Sequence, residues 1–312
     1  MNKNSRIYIA GHTGFIGSAV LATLKKRGYR YLIYRSHKEL DLTNQNKVNV
    51  FFKRTRPEYV FLFAARVGGI YANSVYPAEF IYQNLAIQLN VIHAAYRYGV
   101  KKLLFPGSAC MYPKDCMQPM KEGFLLSGPI EPTNEPFAMA KIAGIKMCQA
   151  YNFQYKTKYI CCVPATVYGP GDHFGLNGHV VAALIERIYK AKASGRKEAV
   201  VWGSGKAKRE FIYIDDAVDA FVFLMQNYAE SSIVNISVGK ETSIKALAFL
   251  IRSIVGFKGA LVFDITKPDG NIRRFFDSTK INNMGWRSKV DLGVGLSWAY
   301  NWFRQERVVS SR

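Results

Sequence analysis

Arg6-Ile7-Tyr8-Ile9-Ala10 runs directly into Gly11-His12-Thr13-Gly14-Phe15-Ile16-Gly17, a short apolar strand pattern followed by a glycine at every third position. Glycine permits a tight turn and lets backbone N–H groups approach a bound anion, and a helix opening here turns its positive end toward the same place. A glycine triplet alone reads as a flexible loop. Set between a first strand and a first helix, it reads as a cradle for a pyrophosphate. The spacing is G-x-x-G-x-x-G rather than G-x-G-x-x-G.

The alternation continues downstream. Ile7–Ala10, Tyr31–Tyr34, Tyr59–Phe63, Lys102–Phe105 and Tyr159–Val163 read as strands, separated by helical patterns near Ile16–Gly28, Gln45–Arg56, Ala78–Tyr98 and Pro136–Tyr155. Tyr59–Phe63 is almost wholly apolar, as a parallel strand buried on both faces should be. The class is therefore α/β, a Rossmann-like doubly wound parallel sheet covered by helices. After about Gly169 the rhythm breaks into the polar, glycine-rich Asp172–Gly178. Beyond it come a helix near Val180–Ala193, a strand at Ala199–Trp202, a strand Glu210–Ile214 entering a helix Asp215–Asn227, and a strand at Ser232–Ser237. A helix near Ser243–Ile254, a strand at Ala260–Phe263 and a helix around Leu292–Gln305 complete a smaller C-terminal lobe.

The 312 residues are 49% apolar, the composition of a soluble globular protein, and no apolar run approaches the roughly 18 residues of a membrane span. Lys and Arg number 43 against 22 Asp and Glu, a formal charge of +21 that favours anionic partners. The basic residues are scattered from Lys3 to Arg312 without a tract or recognition motif, so no nucleic-acid partner is expected. Five cysteines, Cys110, Cys116, Cys148, Cys161 and Cys162, give an odd count with no C-x-x-C pair. Neither a disulfide framework nor a metal site is expected, and the location expected is a reducing cytoplasm.

The residues after the second strand bear on the cofactor. An acidic side chain there would hydrogen-bond a ribose 2′-hydroxyl, and a basic one accommodates a 2′-phosphate. The chain reads Tyr34-Arg35-Ser36-His37-Lys38, with no carboxylate until Glu39, which points to NADP(H) through Arg35. After the fourth strand comes Gly107-Ser108-Ala109-Cys110-Met111-Tyr112-Pro113, and Phe137 and Lys141 then sit four apart on one face of a helix.

These stretches resemble the GDP-L-fucose synthases, the GDP-4-keto-6-deoxymannose 3,5-epimerase-4-reductases of the extended short-chain dehydrogenase/reductase superfamily. The matching motifs are Gly11–Gly17, Ala65–Gly69, Tyr76–Asn84, Gly107–Lys114, Glu131–Lys146, Val167–Pro170, Val201–Gly205, Arg209–Asp216 and Lys267–Gly270, in order along nearly the whole chain. The resemblance implies epimerisation at C3 and C5 of a GDP-linked keto-deoxy sugar, then reduction at C4. It implies Cys110 and His179 as base and acid of the first step, with Ser108 and Lys141 completing the catalytic set. A ketone acidifies its α-hydrogens, a thiol and an imidazole both titrate near neutral pH, and Ser108 is placed to hydrogen-bond an enolate oxygen. Cofactor contacts are implied for Gly11, His12, Thr13, Gly14, Phe15, Ile16, Gly17, Arg35, Lys141, Pro164, Ala165, Thr166, Val167 and His179. Substrate contacts are implied for Arg187, Trp202, Arg209 and Asp277. The domains implied are an NADP-binding domain, residues 1–170 with a return segment about 206–237, and a substrate-binding lobe, residues 171–205 and 238–312. The resemblance also implies a homodimer through Ala78–Tyr98 and Pro136–Tyr155.

The chain departs from the family at Phe137, where the family carries its catalytic tyrosine, at Ala109 for a usual serine and at Thr166 for a usual asparagine. Phenylalanine has no proton to donate, so three readings remain open: the full two-part reaction with an impaired reductase step, one half of it only, or binding of nucleotide sugar and NADP without catalysis.

Overall fold

The computed structural model describes residues 1–175, 178–267 and 269–310, with residues 70–71 and 307–310 described by their backbone. Leu176 and Asn177 of the glycine-rich segment, and Pro268 of the Lys267–Gly270 motif, lie outside the described residues.

In chain order the elements are β1 (Arg6–Ala10), α1 (Phe15–Lys26), β2 (Tyr31–Ile33), α2 (Gln45–Thr55), β3 (Tyr59–Leu62), α3 (Ile70–Val75), α4 (Pro77–Arg97), β4 (Lys102–Pro106), α5 (Glu135–Tyr155) and β5 (Tyr159–Pro164). There follow β6 (Thr166–Tyr168), α6 (Val180–Ala193), β7 (Glu198–Trp202), β8 (Lys208–Tyr213), α7 (Ile214–Asn227) and β9 (Val234–Ile236). The last are β10 (Glu241–Ser243), α8 (Ile244–Val255), β11 (Ala260–Asp264), β12 (Arg273–Arg274), α9 (Thr279–Asn283) and α10 (Leu292–Ser310).

The chain forms two compact units. The first comprises Met1–Cys116, Glu122–Pro164 and Ala217–Ile236. Its sheet is six-stranded and parallel, ordered β2-β1-β3-β4-β5-β9. From β1 the chain steps outward to β2 and then returns to β3 on the other side, so the strand order reverses between β1 and β3. Ligand crevices in open α/β sheets form at such a reversal, beyond the carboxyl ends of the strands. The strands are apolar because helices cover them: Ile7–Ala10, Val60–Leu62 and Leu103–Phe105 are buried. The long helices α4 and α5 pack side by side.

The second unit comprises Met117–Lys121, Ala165–Asp216 and Ser237–Arg312. Here β8 is central, antiparallel to β10 and parallel to β6 and β12, while β7 and β11 form a separate parallel pair. Buried Glu210 of β8 ties this unit together. Its carboxylate accepts hydrogen bonds from the Ser237 hydroxyl, from Gly239 N–H at 3.0 Å and from Phe276 N–H at 2.7 Å. Burial still pushes its pKa up against those donors. Helix α8 shows its caps in the sequence: the Ser243 hydroxyl accepts from Ala246 N–H at 3.1 Å, and Gly256 closes the helix at φ 69°.

Most helices and long strands stand where the sequence reading places them, within a residue or two, but the last helix runs five residues further, to Ser310, and the short helices α3 and α9 are additional. Three short strands, β6, β10 and β12, are additional, because two or three residues carry no readable alternation.

Two glycines fix how α1 meets the sheet. A Cβ on Gly11, whose φ is +87°, would lie 2.6 Å from the backbone nitrogen of Ala64, beyond β3. A Cβ on Gly17, inside α1, would lie 2.1 Å from the carbonyl oxygen of Gly11. Replacing a helical glycine by alanine ordinarily stabilises by about 1 kcal/mol. Gly17→Ala is expected to do the reverse, costing about 1–3 kcal/mol through overpacking, and a lowered thermal unfolding midpoint by calorimetry checks it.

Candidate active site

The Gly11–Gly17 loop is a short, closed turn. Gly14 N–H donates to Gly11 O at 3.0 Å, and Ser18 N–H to Gly14 O at 2.9 Å. Gly14 occupies the N-cap of α1 and has no side-chain cap, and the first turn holds no acid. Helix geometry leaves the N–H groups of Phe15, Ile16 and Gly17 without intrahelical acceptors. A dinucleotide pyrophosphate fits these residues, because nothing larger than hydrogen stands at the close contacts of Gly11 and Gly17 and no carboxylate opposes an anion. His12 lies beside Tyr34, ring centroids 4.9 Å apart, and its Nδ1 is buried with no partner among the described residues. Arg35 follows β2, with Nη1 donating to Tyr34 O at 2.6 Å. Glu39, the nearest carboxylate in sequence, accepts from the Ser36 N–H and hydroxyl at 2.7 Å each, bonds that hold its pKa down. The carboxylate is thus engaged by its own turn.

At the carboxyl end of β4 the chain turns through Ala109–Met111, and this brings Ser108 and Cys110 together. The Cys110 thiol donates to Ser108 Oγ at 3.3 Å. Helix α5 carries Lys141 against the same segment, with Nζ donating to Pro106 O at 3.0 Å. The ammonium lies 4.5 Å from the Phe105 ring centroid and 5.9 Å from that of Phe137. Lys141 is buried, and desolvation drops its pKa from 10.5 to about 8, partly opposed by the thiols of Cys110, Cys162 and Cys161. Phe137 meets Phe80 edge to face, with centroids 6.3 Å apart. The first unit thus gathers a thiol, a hydroxyl and an easily deprotonated amine, with an apolar ring where the family's phenol would stand. Pro164, at the end of β5, also belongs to this unit, and Ala165, Thr166 and Val167 begin the second.

In the second unit His179 is the N-cap of α6. Its Nδ1 lies 3.0 Å from Oδ1 of Asp172, and that hydrogen bond raises the imidazole pKa above its ordinary value against desolvation. Arg187, two turns into α6, lays its guanidinium 4.6 Å from the Trp202 ring centroid and donates to Val200 O at 3.2 Å. Burial lowers the pKa of Arg187. It lowers that of Arg209 to about 10, helped by the nearby Arg274 cation and opposed by Asp269. Arg209 with Arg274 beside it makes a locally cationic spot suited to a multiply charged anion. Asp277 accepts from Thr279 N–H at 2.8 Å just before α9, and Thr279 holds its pKa down.

Two further residues escaped the sequence reading. Asp172 sits in a polar, glycine-rich segment that reads as loop, and its only signal is a carboxylate seven positions before a histidine. Glu210 lies beside Arg209 in a motif read for its arginine. Among the described residues no cluster of His, Cys, Asp and Glu could hold a metal ion, and no helix is long and apolar enough to cross a membrane.

The profile of the NAD dependent epimerase/dehydratase family matches residues 7–237. A putative GDP-L-fucose synthase 2 of Arabidopsis thaliana is 52% identical over 309 residues, 99% of this chain and 94% of the relative. The GDP-L-fucose synthase of Escherichia coli is 45% identical over 315 residues, covering 98% of each. Among solved structures, a GDP-mannoheptose C4 reductase from Campylobacter jejuni with NADP bound superposes with a TM-score of 0.89 at 39% identity, over 97% of this chain and 99% of that one.

The buried amine has a consequence for stability. With Lys141 at about 8 in the fold and 10.5 when exposed, the unfolded chain binds the extra proton between those values, so stability rises with pH across that window. Lys141→Met removes the effect. The stability of the native protein relative to this variant is expected to grow by about 3 kcal/mol between pH 8 and pH 10.5, measured by urea unfolding at each pH.

Proposed function

We propose that this chain, which belongs to the NAD dependent epimerase/dehydratase family and within it to the GDP-L-fucose synthases, acts on GDP-4-dehydro-6-deoxy-D-mannose or a related GDP-linked 4-keto sugar. It inverts C3 and C5 and then reduces C4, giving GDP-L-fucose or its counterpart, with NADPH as reductant. The observation that carries this reading is the cluster of Ser108, Cys110 and Lys141 at the end of β4, in the unit that holds the glycine cradle.

The backbone N–H groups at the start of α1 would hold the cofactor's pyrophosphate, and Arg35 would pair with the 2′-phosphate. The remaining cofactor contacts are His12, Thr13, Lys141, Pro164, Ala165, Thr166, Val167 and His179. When bound, NADPH would supply hydride to the C4 carbonyl, and with no phenol at position 137 the proton for O4 would come from solvent water. Ser108 donates a hydrogen bond to the C4 oxygen as negative charge develops there. Cys110, as thiolate, removes the proton next to the carbonyl, and His179 returns one. Arg187 and Arg209 bind the diphosphate, Trp202 offers an aromatic face to the GDP-sugar, and Asp277 accepts from its hydroxyls. Lys141 orders the nicotinamide ribose.

Phe137 favours a second reading, epimerisation with little or no reduction, because C–H acidity next to a ketone needs no phenol whereas protonation of O4 does. One experiment separates the two. The keto sugar is incubated in D₂O with NADPH, and deuterium at C3 and C5 is read alongside NADPH oxidation. Both sites are expected to exchange, with slow oxidation that Phe137→Tyr accelerates by about 10²–10⁴-fold. Absence of exchange would remove the epimerase assignment, and no gain from tyrosine would place the reductase defect elsewhere.

The protein is further proposed to be a cytoplasmic homodimer. Its free cysteines suit a reducing compartment. Helices α4 and α5 leave large rings in solvent, Tyr82 at 69% and Phe153 at 82% exposure, more apolar surface than an isolated helix pair needs. Light scattering is expected to give twice 35.2 kDa, and Phe153→Asp combined with Tyr82→Asp to give the monomer.

A further inference from the structure

The polar segment before α6 contains a carboxylate in an unusual state. Asp172 is buried, its side chain 1% exposed. Its Oδ1 accepts twice, from His173 N–H at 2.8 Å and from His179 Nδ1 at 3.0 Å. Its Oδ2 is buried with no hydrogen-bond partner among the described residues. A buried carboxylate oxygen without a donor is costly, and such groups persist where they serve a site. Among the described residues the one side chain that bonds this carboxylate is an imidazole, the one assigned as proton donor.

We propose that Asp172 is the positioning residue for His179, holding its Nδ1–H so that Nε2 faces the substrate as the atom that gives up the proton. The inference rests on the reading of His179 as the acid of epimerisation and adds the group that makes it one. Accepting from Nδ1–H selects the tautomer in which Nε2 is the exchangeable position. The carboxylate also offsets a local penalty. His179 is the N-cap of α6, where the positive helix end disfavours an imidazolium. The first turn of α6, Val180-Val181-Ala182-Ala183, brings no acid. Glu186 on the same helix is paired with Lys190 at 3.0 Å. The hydrogen bond to Asp172 raises the imidazole pKa above its ordinary value, against desolvation. In the transfer itself the proton leaves Nε2 for the carbanion carbon, whose own proton Cys110 has taken. The neutral imidazole that remains keeps Nδ1–H on Asp172, and charge balances without a further reactant.

The test uses Asp172→Asn, with Asp172→Glu as the conservative control and His179→Gln to assign the His179 resonances. ¹⁵N-edited NMR of the protein without ligands reads tautomer and titration directly. The native protein should show His179 as the Nδ1–H tautomer, titrating above its ordinary value, and Asp172→Asn should lower that midpoint by about one pH unit or more. In D₂O with the keto sugar, Asp172→Asn should reduce kcat for exchange by about 10²-fold with KM unchanged. Its alkaline limb should move to lower pH, and Asp172→Glu should restore part of both. A native His179 in the Nε2–H tautomer, or a midpoint that ignores Asp172→Asn, overturns the proposal. So does a shifted midpoint with an unshifted exchange profile. A native protein that shows the NMR signature but exchanges nothing overturns the functional reading instead, and the dyad then stands on the NMR result.

Discussion

Backbone meets backbone where the sheet reverses direction, and much of the first unit follows from that contact. Gly11 has room for hydrogen alone against the chain beyond β3, and Gly17 has room for hydrogen alone against Gly11. The start of α1 is thereby drawn against the carboxyl ends of β1 and β3, the one place in an open parallel sheet where the chain leaves a crevice. No side chain caps the N–H groups there. An anion site built in this way depends on what is missing from the sequence more than on what is present: no Cβ at two positions, no cap, no acid in the first turn.

The second dependence is electrostatic. Among the described residues Lys141 is held in the apolar interior by one hydrogen-bond acceptor, the carbonyl of Pro106, and by two aromatic rings. An ammonium there is under-solvated, which is why its proton is loosely held. His179 shows the opposite arrangement. It sits at a helix end that repels a proton, yet a buried carboxylate makes it hold one more tightly. Within one chain, a group that is ordinarily always charged has been brought down toward neutrality and a group that is ordinarily half-charged has been pushed up. Separations of this kind are how a fold assigns acid and base roles at a single pH.

Legibility in the sequence followed the length scale of each signal. Strands β1, β3, β4 and β5 were readable because burial on both faces makes them nearly continuous apolar runs, and α4 because its length displays a helical period. The glycine cradle was readable because its spacing is local. Strands β6, β10 and β12 were not, since their existence depends on pairing with β8, whose partners come from distant parts of the chain. The same holds for side chains. Ser108 and Cys110 lie two residues apart, and their contact is nearly written in the sequence. Asp172 and Glu210 act through partners that only the fold supplies, three of them backbone N–H groups, which carry no residue identity at all.

Phe137 separates two chemistries that the family performs in succession. Removing a proton next to a ketone requires a base, an acid and a donor for the enolate oxygen. In the proposed reaction Cys110, His179 and Ser108 would take those parts. Reducing the ketone requires in addition that O4 receive a proton as hydride arrives, and a phenyl ring cannot deliver it. The ring nevertheless packs well, edge to face on Phe80 with the Lys141 ammonium nearby, so losing the hydroxyl leaves no void to collapse and no pressure on the surrounding residues to change. The Lys141 ammonium stays beside this ring, and Ser108 and Cys110 stay bonded to each other at the end of β4, so a phenol restored at position 137 would meet an amine already in place.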